Sequence, residues 1–294
     1  MRLRHIEIFH AIYTTGSITN AAKILHVSQP SVSKVLAHAE MQLGFHLFDR
    51  VKGKLIPTDE AEMLFDEVDK IYQQMRSIKN TAENIKKSEH GNINLGLTPA
   101  LGFNAIPSAV ANYHHQYPNV NFNIQTVHND EVMQALLEHK CDLAVLFSPN
   151  AMAGVTSIEC AQSELVIVYP KSLFPEQPSS LTFAQLEETE FIDIGDSGPL
   201  GDMLWTRMME ENIPLQSSIK VQTYFIAARL VAQGVGICVV DKYTAQGNLT
   251  DNMAYASFEP KLSFSVNVLH LENRRLSQVA KEFIPYITSE ISKP

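Results

Sequence analysis

Between Asp59 and Ser88 the chain contains neither Gly nor Pro, and within that stretch Leu64, Val68, Ile71, Met75, Ile78, Ala82 and Ile85 follow one another at steps of four and three. A strict 3.5-residue repeat keeps one apolar stripe in register with another helix, whereas an ordinary core helix drifts at 3.6 residues per turn. The sequence therefore predicts one long linker helix over 59–90, paired as a coiled coil through Leu64, Val68, Ile71, Met75, Ile78 and Ala82, with His90-Gly91 ending it. Packing of the same stripe against the chain's own body is the competing reading. Such a helix divides the 294 residues into a small head, 1–58, and a larger body, 91–294.

Charge divides at the same place. Residues 1–58 carry seven Lys and Arg against three Asp and Glu, a net of +4, while the whole chain is at −9, leaving −13 for the rest. Attraction to phosphate would be confined to the head, and the acidic body would resist non-specific contact with nucleic acid. With 45% hydrophobic and 19% charged residues the composition is that of a globular protein, not of a disordered one. No apolar run reaches the ~18–20 residues of a membrane span. Met1-Arg2-Leu3-Arg4 leads directly into His5, Glu7 and His10 without a signal-peptide core. Cys141, Cys160 and Cys238 lie far apart and in no metal-ligand spacing, so the expected setting is a reducing cytoplasm, with no metal and no cofactor.

In the head, Leu3, Ile6, Phe9 and Ile12 give an amphipathic helix that stops before Gly16. Ser17 is placed to cap a short second helix, Ile18 to Leu25, whose Ala21-Ala22 pair allows a neighbour to approach closely. Ser28 is placed to cap a third, with Pro30 in its first turn. Val32, Val35, Leu36, Ala39 and Leu43 line the inner face of this third helix, and Gln29, Pro30, Ser31, Ser33, Lys34 and Ala37 are left outside. A small, polar outer face on the second of two closely joined helices is what a major groove ~12 Å wide admits, with its N-terminal residues at the base edges. Gln29 could pair with adenine, Ser31 and Ser33 could reach bases or phosphate, and Lys34 adds charge. Phe48 to Leu55 reads as a hairpin wing whose Arg50, Lys52 and Lys54 would lie along the backbone. A plain helical domain with a solvated polar face would show the same periodicity; the basic tip and the charge asymmetry favour DNA.

The words Phe9, Gly16-Ser17-Ile18, Ala21-Ala22, Leu25-His26-Val27-Ser28-Gln29-Pro30-Ser31-Val32-Ser33, Leu43-Gly44 and Leu47-Phe48-Asp49-Arg50 resemble the LysR-type transcriptional regulators densely over residues 1–60. The family usually has Gly in the turn after the wing, where this chain has Ala61. The resemblance implies an N-terminal, mostly α winged helix-turn-helix with a dimerising linker helix. It also implies a C-terminal two-lobed α/β effector domain similar to periplasmic binding proteins, assembled as a homodimer or homotetramer. Two heads about one DNA turn apart would read an approximately palindromic site in double-stranded DNA. RNA polymerase is the further partner expected of an activator.

The body alternates strands and helices, with strands expected at Ile93–Leu97, Val120–Gln125, Asp142–Phe147, Glu164–Val168, Phe191–Ile194 and Phe264–His270. A final helix from Ser277 would be perturbed by Pro285. Lobe I is expected at about 91–160 and 264–294, and lobe II at about 161–263. Tyr117-Pro118-Asn119-Val120, Cys141-Asp142-Leu143-Ala144 and Leu230 to Ile237 carry the family resemblance here, although the family more often has Gly where Cys141 stands.

Catalytic patterns fail. Gly195-Asp196-Ser197-Gly198 lacks the second Gly of a nucleophile elbow, which would fall at Pro199, and Gly234-Val235-Gly236 has Val239 where a dinucleotide fingerprint needs its third Gly. His114-His115 are adjacent and point apart on a helix. A ligand site is the better expectation, and no enzyme. Thr98-Pro99-Ala100-Leu101 joins a strand end to a helix start, where free N–H groups and a hydroxyl favour a carboxylate. Phe147-Ser148 ends another strand, and Asp196-Ser197 and Thr223 precede helices of the second block. Ordinary helix capping would explain each Ser or Thr singly; for Thr98 the ligand is the preferred reading.

The family's effector-contacting stretches map to Thr98–Leu101, Phe147-Ser148, Ser197 and Thr223. The nearest likeness is to regulators of lysine biosynthesis and opine catabolism, with Arg4 to His10 and Leu55, Pro57-Thr58 as shared words. That implies an amino-acid-like carboxylate effector, aspartate or a diaminopimelate-like molecule, with Asp196 able to take its ammonium group. The rival is a metabolite-binding protein without a DNA function, which would leave Gln29, Lys34 and the basic wing unexplained.

Overall fold

The computed structural model describes all residues except 52–53, 87–90, 187–188, 195–197, 212–216 and 294, and leaves undescribed also the side chains of 54, 73, 76–77 and 79–86. It forms two compact units, Met1–Ala82 and Glu83–Pro294. Among the described residues no helix is long and apolar enough to cross a membrane.

The first unit packs α1 (Leu3–Thr15), α2 (Ile18–Ile24) and α3 (Gln29–Leu43) around Ile8, Phe9, Ile12, Ala21, Val32 and Leu36. α1 ends because Gly16 takes a left-handed conformation, φ 62°, that a side chain would resist. Ser17 caps α2 by accepting the amide of Asn20. Ser28 stands at the N-cap of α3, but its side chain makes no capping hydrogen bond, contrary to the role expected of it. β1 (Phe48–Val51) and β2 (Lys54–Pro57) form the antiparallel wing.

α4 (Asp59–Lys86) follows directly, and two expectations are corrected on it. Ala61 is not in a turn: it lies in the first turn of this helix, fully buried, its amide donating to Thr58 Oγ1 at 3.2 Å. Val68 is not free for a partner helix, and Leu64 is half-buried against the head. Val68 is 2% exposed, and both pack in the head's own core together with Phe65. Phe65 stacks on Tyr13 with ring centres 3.8 Å apart, and His10 stacks on Tyr72 while pairing with Asp69 at 2.9 Å. The start of the heptad stripe thus roots the helix in its own head. The stripe is open at Ile71 and at Ile78, which is 71% exposed, with Met75 half-buried between them; the side chain of Ala82 lies outside the described residues, as does His90.

The second unit is built on β3 (Gly91–Leu97), α5 (Ala105–Gln116), β4 (Val120–Thr126), α6 (Val132–Leu137), β5 (Leu143–Phe147), β6 (Val155–Pro170), β7 (Ser180–Leu181), β8 (Ile192–Ile194), α7 (Gly198–Glu210), β9 (Ile219–Val221), α8 (Tyr224–Ala232), β10 (Cys238–Asp241), α9 (Lys242–Asn248), β11 (Met253–Leu271) and α10 (Gln278–Ile291). The main sheet runs β10-β6-β11-β5-β3-β4, with β7 also on β11. β3 is parallel to β4 and β5; β11 is antiparallel to β5 and β6, and β10 to β6.

Two strands are much longer than periodicity suggested. β6 starts at Val155, well before Glu164, and β11 starts at Met253, before Phe264. Their outer stretches alternate less regularly in burial, and the two strands pair with each other along nearly their whole length. On the edge strand β4, Val120 is buried and Ile124 is exposed. Pro285 does not end α10, which continues to Ile291 with Phe283, Ile287 and Ile291 buried. Where the family more often has Gly, Cys141 fills space beside Gly96: a Cβ on Gly96 would stand 3.3 Å from its sulfur, and burial raises the Cys141 thiol to about 12.

Candidate DNA-reading helix and effector cleft

In α3 the 3.6-residue period turns Val32, Leu36 and Ala39 inward, so Gln29, Pro30, Ser31 and Lys34 are exposed and Ser33 is half-buried. Gln29 Nε2 donates to Ser33 Oγ at 3.3 Å, which holds two of the expected base-contacting side chains together one turn apart. α2 meets α3 through a turn in which His26 takes φ 52°, with Ala21 and Ala22 buried beneath it.

The wing is anchored by a residue that motif reading passed over. Glu40, on the inner side of α3, accepts the amide of Leu47 at 2.8 Å and that of Phe48 at 3.4 Å. Thr58 closes the other end, its hydroxyl donating to His46 O at 2.8 Å. Arg50 is exposed on β1; Lys52 and the side chain of Lys54 lie outside the described residues.

In the second unit, the segment after β3 forms a single 3-10 turn, Pro99–Gly102, rather than the start of a helix; α5 begins only at Ala105. The amide of Leu101 is already used, donating to Thr98 O at 3.1 Å, and the side chains of Ala100 and Leu101 are buried in the core. These two therefore do not offer side chains to a ligand. Pro99 is exposed, and Thr98 is half-buried with its hydroxyl in no capping bond. Thr223, at the N-cap of α8, likewise makes no side-chain cap.

Phe147 and Ser148 depart from expectation as well. Phe147 packs on Phe264 and stacks on Tyr243 inside the core, and the Ser148 hydroxyl accepts the amide of Ser265 at 3.2 Å. Both hold β5 to β11 and the base of α9. Asp196 and Ser197 lie outside the described residues.

Asn129 was not anticipated. It follows β4, stands beside the start of α7 with its Nδ2 3.7 Å from where a Cβ on Gly198 would be, and its Oδ1 is buried with no hydrogen-bond partner among the described residues. The signal available in sequence was only its place in His128-Asn129-Asp130, just beyond a strand end, where α/β sheets bind ligands.

Residues 3–62 match the profile described as "Bacterial regulatory helix-turn-helix protein, lysR family", and residues 86–292 match "LysR substrate binding domain". The chain is a LysR-type transcriptional regulator. As such it is a DNA-binding protein whose C-terminal two-lobed α/β unit is an effector-binding domain.

The regulator is 75% identical over 284 residues to the HTH-type transcriptional regulator DgcR of a Pseudoalteromonas species, covering 97% of this chain and 98% of that one. It is 27% identical to the transcriptional activator protein LysR of Escherichia coli, over 100% and 94% of the two chains. A crystal structure of full-length CbnR complexed with its target DNA superposes with a TM-score of 0.74 at 16% identity, over 99% of this chain and 100% of that one, and shares the fold.

Proposed function

We propose that this LysR-type regulator is an effector-responsive activator whose effector is an amino acid or close relative with at least one carboxylate, aspartate or a diaminopimelate-like molecule among the candidates. The observation that carries the ligand site is the pair of hydroxyls at Thr98 and Thr223. Each sits at the N-terminal position of a helical turn and neither caps it, so both donors remain for a ligand. Asn129, with a buried amide oxygen that has no partner among the described residues, adds an acceptor for an ammonium or amide donor. Ser197 and Asp196 complete the proposed contacts, with Asp196 on the ammonium group.

On DNA, Gln29, Pro30, Ser31, Ser33 and Lys34 are the proposed groove contacts, and Arg50, Lys52 and Lys54 the backbone contacts. The head is taken as 1–58, the linker as 59–90, lobe I as about 91–160 and 264–294, and lobe II as about 161–263. Pairing of α4 through Ile71, Met75, Ile78 and Ala82 would give a homodimer, and two dimers a homotetramer, on an approximately palindromic site. Effector that prefers one lobe arrangement shifts the population toward it, changes the spacing of paired heads and alters what RNA polymerase meets at the promoter.

The test is a DNA-binding titration on the region upstream of the protein's own gene, across a salt series, with a panel of amino acids that includes both aspartate enantiomers and diaminopimelate. A steep salt dependence with a footprint shifted by one compound supports the whole reading. A footprint that no amino acid alters overturns the effector class.

A further inference from the structure

The second unit contains a cavity of about 270 Å³ that does not include the Thr98 or Thr223 positions. It opens where β6 and β11 cross, with Glu164 and Ser263 paired across the two strands, Lys242 and Tyr243 of α9 on one side, and Lys293, just beyond α10, on the other. A space of this size is below the ~300–1,000 Å³ of pockets for drug-sized ligands and suits a small metabolite.

Two of its side chains are unmatched in complementary ways. The Glu164 side chain is 13% exposed; its Oε1 faces Lys261 Nζ at 3.4 Å, while its Oε2 is buried with no hydrogen-bond partner among the described residues. Lys242 is half-buried, and among the described residues no carboxylate pairs with it. Lys293, by contrast, is matched by Glu290 at 2.6 Å. The cavity thus presents one acceptor oxygen in want of a donor and one ammonium in want of an anion.

A simple anion would satisfy Lys242 and leave Glu164 Oε2 unpaired beside added negative charge. A metal cation would be repelled by Lys242 and Lys261. A molecule carrying both charges satisfies both groups. We propose that this cavity is a second ligand site, separate from the proposed site at Thr98, that takes a small zwitterion of the α-amino-acid type, its ammonium on Glu164 and its carboxylate on Lys242.

The placement makes the site a control point. Tyr243 donates from its hydroxyl to Ile291 O at 3.0 Å, which joins α9 to the end of α10 beside the cavity. At its other end α9 backs onto the segment that follows Thr98: a Cβ on Gly247 would come within 2.6 Å of Phe103 Cβ, so the Phe103 side chain packs directly against the α9 backbone without slack. A ligand held by Lys242 therefore bears on the same short helix that abuts the Thr98 loop, and occupancy of either site biases the other.

The experiment is calorimetric titration of the full chain with the proteinogenic amino acids and their mirror-image forms, their des-amino carboxylates and inorganic phosphate. It is repeated on Glu164→Gln, Lys242→Gln and Thr98→Val, each checked for native circular dichroism. The expected result is an amino acid whose binding weakens about tenfold or more with each cavity substitution and persists in Thr98→Val. In the unsubstituted chain the same compound should protect Lys242 from reductive methylation, read by mass spectrometry, which needs no variant to fold. The proposal is overturned if no amino acid binds in this way, if phosphate or the des-amino acid binds equally well, if Thr98→Val abolishes all binding, or if Lys242 is methylated at the same rate with ligand present.

Discussion

The carboxylate of Glu40 accepts the backbone amide of Leu47 at 2.8 Å, so the third helix of the head directly holds the base of the wing. Leu47 is fully buried, and without Glu40 its amide would be left unpaired away from water. Glu40→Ala is expected to cost about 1–3 kcal/mol in the head. It should accelerate hydrogen exchange at Leu47 and Phe48 and weaken DNA binding through a misplaced wing. Glu40→Gln keeps an acceptor oxygen and should lose much less; equal loss in the two variants would remove the hydrogen bond as the cause.

Lys34 and Arg50 are both exposed, one on α3 and one on β1. Lys34→Ala and Arg50→Ala, made separately, should each weaken DNA binding and flatten the slope of log affinity against log salt by about one. Effector binding, in the other unit, should be unchanged. Electrophoretic or fluorescence titrations at several salt concentrations would show this, and unaltered affinity in both variants would refute the assignment of the reading surface.

Thr98→Val removes a hydroxyl that caps nothing while keeping the side chain's shape. It should reduce effector affinity about fivefold to tenfold, the value of one hydrogen bond, while basal DNA binding survives. Thr223→Val should behave alike. Calorimetry with the compound identified by footprinting is the check, and wild-type affinity in either variant excludes that residue from the proposed site.

The linker helix has two kinds of apolar residue on one stripe. Ile78→Asp, at an exposed position, should move the protein toward monomer in sedimentation without lowering the head's melting temperature. Val68→Ala, at a buried one, should destabilise the head by about 2 kcal/mol and leave the dimer in place. The opposite pattern would mean that the stripe packs otherwise than proposed.

Asp241 is buried at the start of α9, where it accepts from the amide and the hydroxyl of Thr244, and burial pushes its carboxyl up from 3.8 to about 6. Between those two values the folded chain holds a proton that the unfolded chain has released, so this group's contribution to stability falls as pH rises from about 4 to about 6 and is level above that. Asp241→Asn removes the effect. Its stability relative to the parent should therefore increase over the same interval, as read by thermal melts at stepped pH; a flat difference would show that Asp241 does not titrate there.

Periodicity and capping residues carried much of the fold. The head's helices, the wing and the strands expected in the body follow from apolar spacing and from Ser17 and Gly16, because each of those rules acts over a few neighbouring residues. The exposed face of α3 followed as well, since a helix that buries Val32 and Leu36 must turn Gln29 and Lys34 outward. The lengths of β6 and β11 did not, because each is stabilised by the other across about a hundred residues of chain, and cross-strand pairing leaves a weak local signature.

What the chain's own order of residues determined is the head's elements, most of the body's longer strands, the charge asymmetry between head and body, and the family; β7, β9, β10 and α9 were not legible in it. Tertiary structure alone decided which candidates are available. It buried Leu101 and Phe147, committed Val68 to the head's core, left the hydroxyls of Thr98 and Thr223 uncapped, and set Glu40, Asn129, Glu164 and Lys242 in their places. The reason is physical: helix and strand periods are written in near neighbours, whereas whether a polar atom finds a partner depends on groups brought to it from distant parts of the chain.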